Sequence, residues 1–577
     1  FKYPLNLCIV IKLKRIKTEN SMLSTTNDND IINKPTFFVL LVLAILVNSV
    51  GLFNDIFAAD SSLYAAISKT FVVSGDYLNI YVKGADWLDK PHFPFWICAL
   101  FMEVFGINTI AYKLPSFLFF IAGLYYTYKL AKSLYNTQTA YLATLILASS
   151  LHMIISNNDV RAESILVGLL MGATYYIYKL TSKFSVQNIL LASLFSAAAI
   201  MTKGIFVMII PYAAIFGHLI VTKQFNKLLD YKWLILFSLT ILFTAPEVYA
   251  LYEQFDTKPD KVVFGKTGVS GIQFFLWDSQ FGRFFNTGPI KGKSEPFFFV
   301  HTFLWAFAPW ALIGFISLFK TGANLITRKF NYEYLTFFGF VIMFLIFSIS
   351  RFQLSHYLNI LFPFISITIA GLLIGEIKMN KAHQLLKVFI NLYLVVFIGV
   401  IVLLEVYFNQ NFSFTGIILV ISLTSLGVFY NFIKKQQLNK FYVLGIISSL
   451  LFTLYLNLSF YPKLLKYQSG AQVAFYANQN FPGQDIFTTN NDWLLDYYLE
   501  KEVIPTYTLD RLTTLSLDQD DLLFADDKFI KILEDNALEY ELLKTFDHFH
   551  ITLLDLNFLD KSTREKSLQK RYLINLE

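Results

Sequence analysis

The stretch from Asn54 to Gly106 holds Asp55, Asp60, Asp76, Asp86, Asp89, Lys90 and His92 among aromatic residues. This mix suits a surface where a charged substrate meets a bilayer. Asp60 stands in AADSSLYAAISKTFVVSG, where Leu63, Ile67, Phe71 and Val72 form a helical stripe that stops at Gly75. That register puts Asp60 at a helix N-terminus, where its plainest role is a cap worth ~1 kcal/mol, and Asp55 is a rival acid just before it. In WLDKPHFPFW, Pro91 holds Lys90 extended, offering its ammonium to a phosphate, a neighbouring carboxylate or lipid head groups. Asp89 could ligate a divalent metal, although no second ligand follows at a telling spacing.

Other polar groups gather at the ends of apolar runs: Asp159, Arg161 and Glu163 in SNNDVRAES, Lys203 in MTKG, Arg283 in FGRFFNTG, and Arg351 and His356 in SRFQLSHY. A charge at mid-bilayer costs at least ~2.5–3.5 kcal/mol, so run ends are where functional charges are expected. Each also has a plain role: a solvated turn for 159–163, a surface anchor helix around Arg283, and a hydrogen-bonded interface residue for His356.

The elements that must position these residues follow from composition. The chain has 577 residues, 55% hydrophobic and only 15% charged, too little charge to cover a soluble protein of this size. Apolar runs near 36–53, 114–132, 138–155, 164–181, 187–202, 204–221, 232–251, 296–319, 334–349, 356–375, 386–408, 414–432 and 441–461 predict an α-helical polytopic membrane protein of about thirteen spans. Residues 92–106 are short, begin His-Phe-Pro and carry Glu103, which favours a helix along the interface.

With that segment not crossing, the loops rich in lysine and arginine (Lys129 and Lys132; Lys179 and Lys183; Lys223, Lys227 and Lys232; Lys320, Arg328 and Lys329; Lys378, Lys381 and Lys387; Lys434, Lys435 and Lys440) share the side of Lys34, which makes that side cytoplasmic. The expected organisation is a cytoplasmic tail 1–35, a membrane domain 36–461 with outer loops 54–113 and 252–295, and an extracytoplasmic α/β domain 462–577. Residues 1–21, before Met22, read as upstream sequence or tail and stay outside the fold. The last domain alternates strand-like DIFTT, EVIPTY, DLLFA and FHITLLDL with helical DWLLDYYLEK and DKFIKILEDN. Cys8 and Cys98 have no ligand-like spacing. Phosphate-loop, dinucleotide and zinc-peptidase motifs are absent, and no nucleic-acid partner is expected.

DSSLYAAISKTFVVSGDYLNIYVKGADWLDKPHFPFW, NDVRAES, MTKG, FGRFFNTG and FSISRFQLSHYL, in this order, resemble the protein O-mannosyltransferase and aminoarabinose-transferase superfamily, GT-C integral membrane glycosyltransferases that use polyprenyl-phosphate sugars. The resemblance covers most of residues 36–376. It implies that Asp60 matches the family's catalytic Asp, with Ser61 where a Glu usually follows. It further matches Asp89, Lys90 and Pro91 to an acidic-Lys-Pro motif, Glu163 to a second acidic position with Asp159 as its neighbour, and Lys203, Arg283 and Arg351 to family cations.

The expected reaction on the outer face of a bacterial inner membrane follows from that resemblance. Asp60 orients or deprotonates an acceptor hydroxyl, Glu163 or Asp159 positions acceptor or sugar, and Lys90, Lys203, Arg283 and Arg351 steady the departing phosphate. A single displacement through an oxocarbenium-like state inverts the anomeric centre. The expected partners are a polyprenyl-phosphate-sugar donor, a lipid A-like or other envelope glycan or protein acceptor, and membrane lipids; no cofactor is expected unless a divalent metal. Protein O-mannosyl transfer is one alternative. A lipid transporter or flippase is another, although no repeated halves are evident and the charges gather at one interface.

Overall fold

A backbone in lipid must satisfy its own N–H and C=O groups, so the apolar runs form helices. The computed structural model describes residues 32–329, 332–375, 380–432, 439–508 and 521–576. Its long helices are Lys34–Val50, Thr109–Leu134, Thr137–Ala148 with Leu151–Asn158, Ala162–Ser182, Val186–Lys203, Ile209–Val221, Lys232–Leu251, Phe298–Ala306 with Ala311–Ile326, Leu335–Ile349, Phe362–Gly375, Asn380–Leu403, Phe414–Phe432 and Asn439–Tyr455. The tail 1–31, Lys378, Lys434, Lys435 and residues 518–520 lie outside the described residues.

Among the described residues, seven helical stretches are long and apolar enough to cross a membrane alone, or eight if the bent pair Thr137–Ala148 and Leu151–Asn158 is one span. Thirteen crossings were expected, and the difference has local causes. Ile205–Val221, Ala311–Ile326 and Leu335–Ile349 are short, and Pro309 interrupts the helix that 296–319 would have made. Tyr125, Tyr126, Tyr128 and Lys129 dilute the apolar character of Thr109–Leu134, as Tyr175, Tyr176, Tyr178 and Lys179 dilute that of Ala162–Ser182. These two helices press together at Gly168, where any Cβ would overlap the Phe119 carbonyl oxygen. Small residues permit such approach where burial of apolar area drives little association.

The segment between the first two long helices leaves and rejoins the bundle at one end. The Ile56 N–H donates to the Tyr498 hydroxyl at 2.8 Å, and Thr109 Oγ1 lies 3.1 Å from the same hydroxyl. Between them stand the helix Asp60–Ser74, a small hairpin of β1 (Tyr81–Val82) and β2 (Ala85–Asp86), and the helix Phe93–Phe105. At ~1.5 Å per residue the last of these is too short to cross a ~30 Å hydrocarbon core. The fully buried Lys113 ammonium donates to the carbonyls of Gly51 at 3.1 Å, Asn54 at 2.7 Å and Asp55 at 3.2 Å, satisfying acceptors that the ending first helix leaves over.

The C-terminal region holds a five-stranded sheet of β3 (Ile486–Thr488), β4 (Val503–Pro505), β5 (Leu522–Asp526), β6 (Tyr540–His548) and β7 (Gln569–Leu576), in the order β4-β3-β5-β7-β6. β3 pairs in parallel with β4 and β5, and β7 runs antiparallel to β5 and β6. Trp493–Tyr498 and Asp527–Asp535 are its helices. FHITLLDL, expected as a strand, is instead a loop with a single tight turn at Ile551–Leu553. Phe549, Ile551 and Phe558 of this region pack on the membrane bundle rather than in the sheet, while the more polar YELLKTFDH and QKRYLINL supply the strands.

This sheet unit grips the first loop. Lys69 donates to the backbone carbonyls of Asp496 at 3.0 Å, Tyr497 at 3.2 Å and Leu499. Leu494 and Tyr497 join Tyr64, Ile67 and Phe71 in one buried cluster. The helix that begins with Asp60 is thereby fixed from both the membrane bundle and the sheet.

Candidate active site

Asp60 opens its helix without capping it: the N-cap position is Ala59, which makes no side-chain bond. Its carboxylate turns outward instead, with 49% of the side chain exposed, and Oδ2 accepts from Arg161 Nη1 at 2.7 Å. Arg161 Nε donates to Asp159 Oδ2, also at 2.7 Å. One guanidinium thus bridges two carboxylates from different parts of the chain. Although burial opposes its charge, Asp159 and Asp60 hold Arg161 above its ordinary pKa. Burial pushes Asp159 up, while Arg161 pulls it down, and Asp159 Oδ1 is buried with no partner among the described residues.

Glu163, in the first turn of Ala162–Ser182, is buried and ion-paired with Lys203, the last residue of Val186–Lys203. Gly204 makes this turn possible. Its φ of +97° suits glycine, and a Cβ there would overlap the Gln280 side chain, whose Nε2 donates to the Lys203 carbonyl at 3.0 Å. The Lys203 ammonium sits 3.8 Å above the Tyr357 ring, and His356 Nε2 lies 3.8 Å from Glu163.

Asp89 is paired with both Lys90 and Arg283. Burial pulls the Lys90 ammonium below its ordinary pKa; Tyr357 and Asp60 act the other way, and Arg161 adds to the fall. Arg283 comes from the helical stretch Gly271–Phe285, lies against the Phe352 ring at 5.7 Å, and keeps its Nε buried without a partner among the described residues. The DKP turn is anchored by its neighbour. The His92 N–H donates to Glu247 Oε2 at 3.0 Å and its Nδ1 meets Glu247 Oε1 at 3.0 Å, both side chains fully buried, while its Nε2 meets the Leu78 carbonyl at 3.0 Å.

The structure therefore brings Asp60, Asp159, Glu163, Lys90, Lys203 and Arg283 into one cluster. Arg351 does not join it. Its side chain is exposed, and only its backbone N–H reaches the Arg283 region, donating to the Phe284 carbonyl at 3.1 Å. Asp55 stays at the end of the first helix, its carboxyl pushed up by burial against the pull of Lys113. Asp89 suits a metal poorly, because two cations already share its carboxylate and would repel a divalent ion. Among the described residues no group of three or more His, Cys, Asp or Glu is arranged to hold one.

Arg161 and His92 stand out in the sequence without a partner to give them a role, and Tyr357 and Glu247 do not stand out by motif. A glutamate inside the run 232–251 was the one available signal for the His92–Glu247 pair. Tyr64, on the Asp60 helix, is also part of this surround; burial and Asp60 push its hydroxyl well up, which keeps it protonated.

A helical membrane bundle thus carries a sheet unit packed against the helix Asp60–Ser74, and carboxylates paired with cations gather at the start of that helix. Residues 89–249 match the family model described as dolichyl-phosphate-mannose-protein mannosyltransferase. The undecaprenyl phosphate-alpha-4-amino-4-deoxy-L-arabinose arabinosyl transferase 2 of Proteus mirabilis is 24% identical over 361 residues, 61% of each chain. A similarly described transferase of Wigglesworthia glossinidia brevipalpis is 24% identical over 403 residues, 68% of each. The match thus spans about three fifths of the first of these relatives. ArnT from Cupriavidus metallidurans bound to undecaprenyl phosphate shares the fold at a TM-score of 0.71 and 17% identity, covering 94% of this chain and 98% of that one. The chain thus has the fold of that solved structure and is similar over part of its length to these transferases.

Proposed function

We propose that this protein transfers a sugar from a polyprenyl-phosphate donor to a hydroxyl of a lipid A-like or other envelope acceptor on the outer face of the inner membrane. The observation that carries this reading is how charge divides within the cluster. Lys90 and Arg283 share one carboxylate, Asp89, and leave one positive charge in excess. Lys203 and Glu163 balance. Arg161 faces both Asp60 and Asp159, an excess of one negative charge when both carboxyls are ionised.

The cationic end suits the phosphate, whose charge grows as the sugar–oxygen bond breaks, and preorganised cations are most effective on such developing charge. The anionic end suits the electron-poor sugar carbon and the incoming hydroxyl. The acceptor oxygen forms the new bond to the anomeric carbon, the phosphate leaves with the old bonding pair, and the half-exposed Asp60 takes the hydroxyl proton. Attack opposite the phosphate inverts the anomeric centre. Arg161 orients Asp60 in the place of the Glu that Ser61 replaces.

Sidedness rests on the helix ends. Thr109–Leu134 and Ala162–Ser182 begin beside the cluster and finish near Lys132 and Lys179, so the basic loops lie away from it, as cytoplasmic loops do. The named activities of the Proteus and Wigglesworthia relatives support aminoarabinose as the sugar. The match of 89–249 to the mannosyltransferase family supports a second reading, transfer to a protein hydroxyl.

Mass spectrometry of lipid A and envelope glycoproteins from cells with and without this protein tests both readings. A pentosamine-sized loss from lipid A is expected. A hexose-sized loss from protein favours the second reading, and unchanged spectra of both refute a sugar-transfer role at the envelope.

A further inference from the structure

The loop Phe549–Leu559, which closes in a single helical turn at Leu556–Leu559, divides its apolar residues into two sets. Phe549 and Phe558 stack at 3.7 Å between ring centroids and, with Ile551, pack into the bundle. Leu553, Leu554 and Leu556 turn the other way, 69%, 41% and 83% exposed.

The inner set is firmly held. Arg564 donates to the carbonyls of Phe408 and Phe558, each at 2.8 Å, and to the Tyr467 hydroxyl at 3.0 Å, and the Lys561 N–H donates to the Tyr407 carbonyl at 3.0 Å. The loop is thus pinned where the helix Asn380–Leu403 and its continuation to Asn409 end. Between that helix end and the loop lies a groove of about 500 Å³, lined by Leu403, Leu404, Tyr407, Leu556 and Leu559 among others.

What covers these leucines follows from their neighbours. Leu403, Val406 and Tyr407 on the helix, and Phe412 and Phe414 just after it, are also exposed. They continue the apolar outer face of a helix long enough to span a bilayer, a face that meets lipid. Exposed Lys466, Lys561 and Lys566 stand close by in the chain, suited to anionic head groups above that apolar layer. We propose that this loop rests in the membrane leaflet on the sheet's side of the bundle, and that the groove seats an acyl chain of a bilayer lipid. The sheet unit is then tied to the bilayer as well as to the bundle, which sets its height over the helix Asp60–Ser74 that it grips.

The test uses the full chain with Cys8→Ser, leaving only the buried Cys98, and single substitutions Leu553→Cys, Leu556→Cys and, as a control on the sheet-packed helix, Ile532→Cys. Each is labelled with an environment-sensitive fluorophore in phosphatidylethanolamine–phosphatidylglycerol vesicles. At 553 and 556, phosphatidylcholine carrying a shallow doxyl group should cut emission about twofold or more, while aqueous iodide does little; at 532 the pattern should reverse. Iodide quenching at 553 and 556 equal to that at 532 overturns the proposal. Protection of both sites from both quenchers overturns it too, and marks a second protein chain as the cover.

Discussion

Replacing Arg161 with Gln removes the one group that joins Asp60 to Asp159. Two charge-assisted hydrogen bonds at 2.7 Å are lost, and such bonds contribute ~1.5–3 kcal/mol each when buried. The Asp60 bond is half in water, so solvent replaces much of it. The loss falls mainly on Asp159, whose other oxygen is already buried without a partner among the described residues, and a stability cost of ~1–3 kcal/mol is expected. That cost depends on pH. Burial raises the Asp159 pKa, and a neutral carboxyl has less need of the guanidinium. The melting-temperature deficit of the variant should therefore be largest at alkaline pH and shrink as pH falls through the raised Asp159 value.

Catalysis should suffer beyond stability. Asp60 loses its orientation, and the ceiling is the ~10²–10⁴-fold worth of a general base. Because Lys90, Arg283 and Asp89 are untouched, kcat should fall while the donor KM holds, and Arg161→Lys should recover part of the loss. The assay is steady-state transfer in proteoliposomes with varied polyprenyl-phosphate-sugar. A kcat within about twofold of wild type, or a change confined to KM, refutes Arg161 as the positioning residue of Asp60.

Gly204→Ala should displace Lys203 from Glu163, since the new Cβ meets Gln280 and the φ of +97° strains any side chain. A fall in kcat/KM with ~1–3 kcal/mol of lost stability is expected, and wild-type turnover would contradict the placement of Lys203. Asp496, beside Lys83 at 3.5 Å, has its pKa pushed up to about 7 by burial. A raised carboxyl pKa contributes stability that is whole below about 4 and is lost as pH rises through about 7, with a slope of at most ~1.4 kcal/mol per pH unit. Between pH 4.5 and 7.5, Asp496→Asn should remove that part of the decline in thermal stability; parallel curves for the two proteins would count against it.

The membrane class and the residues of the first loop were legible in the sequence because lipid imposes long apolar runs and confines charge to their ends. The partners were not, because they are made by folding. Arg161 finds Asp60 across 101 residues and Arg283 finds Asp89 across 194, and no local spacing encodes either pair. Arg351 has the expected residue type at a helix end, yet its side chain is exposed and only its backbone reaches the Arg283 region. The strand expected at FHITLLDL failed because apolar character records burial or lipid contact without saying which. Its residues face the bundle and the exterior, while charged YELLKTFDH forms an edge of the sheet.

The proposed mechanism has Asp60 act on the acceptor while Lys90 and Arg283 hold the donor phosphate. Its most direct test is a single measurement of polyprenyl phosphate released per enzyme in proteoliposomes supplied with a polyprenyl-phosphate-sugar and an acceptor glycolipid, alongside equilibrium binding of the donor, for wild type, Asp60→Asn and Arg283→Gln. Asp60→Asn is expected to bind donor normally and release almost no polyprenyl phosphate, while Arg283→Gln fails at donor binding. Normal release by Asp60→Asn, or undiminished donor binding by Arg283→Gln, would contradict it.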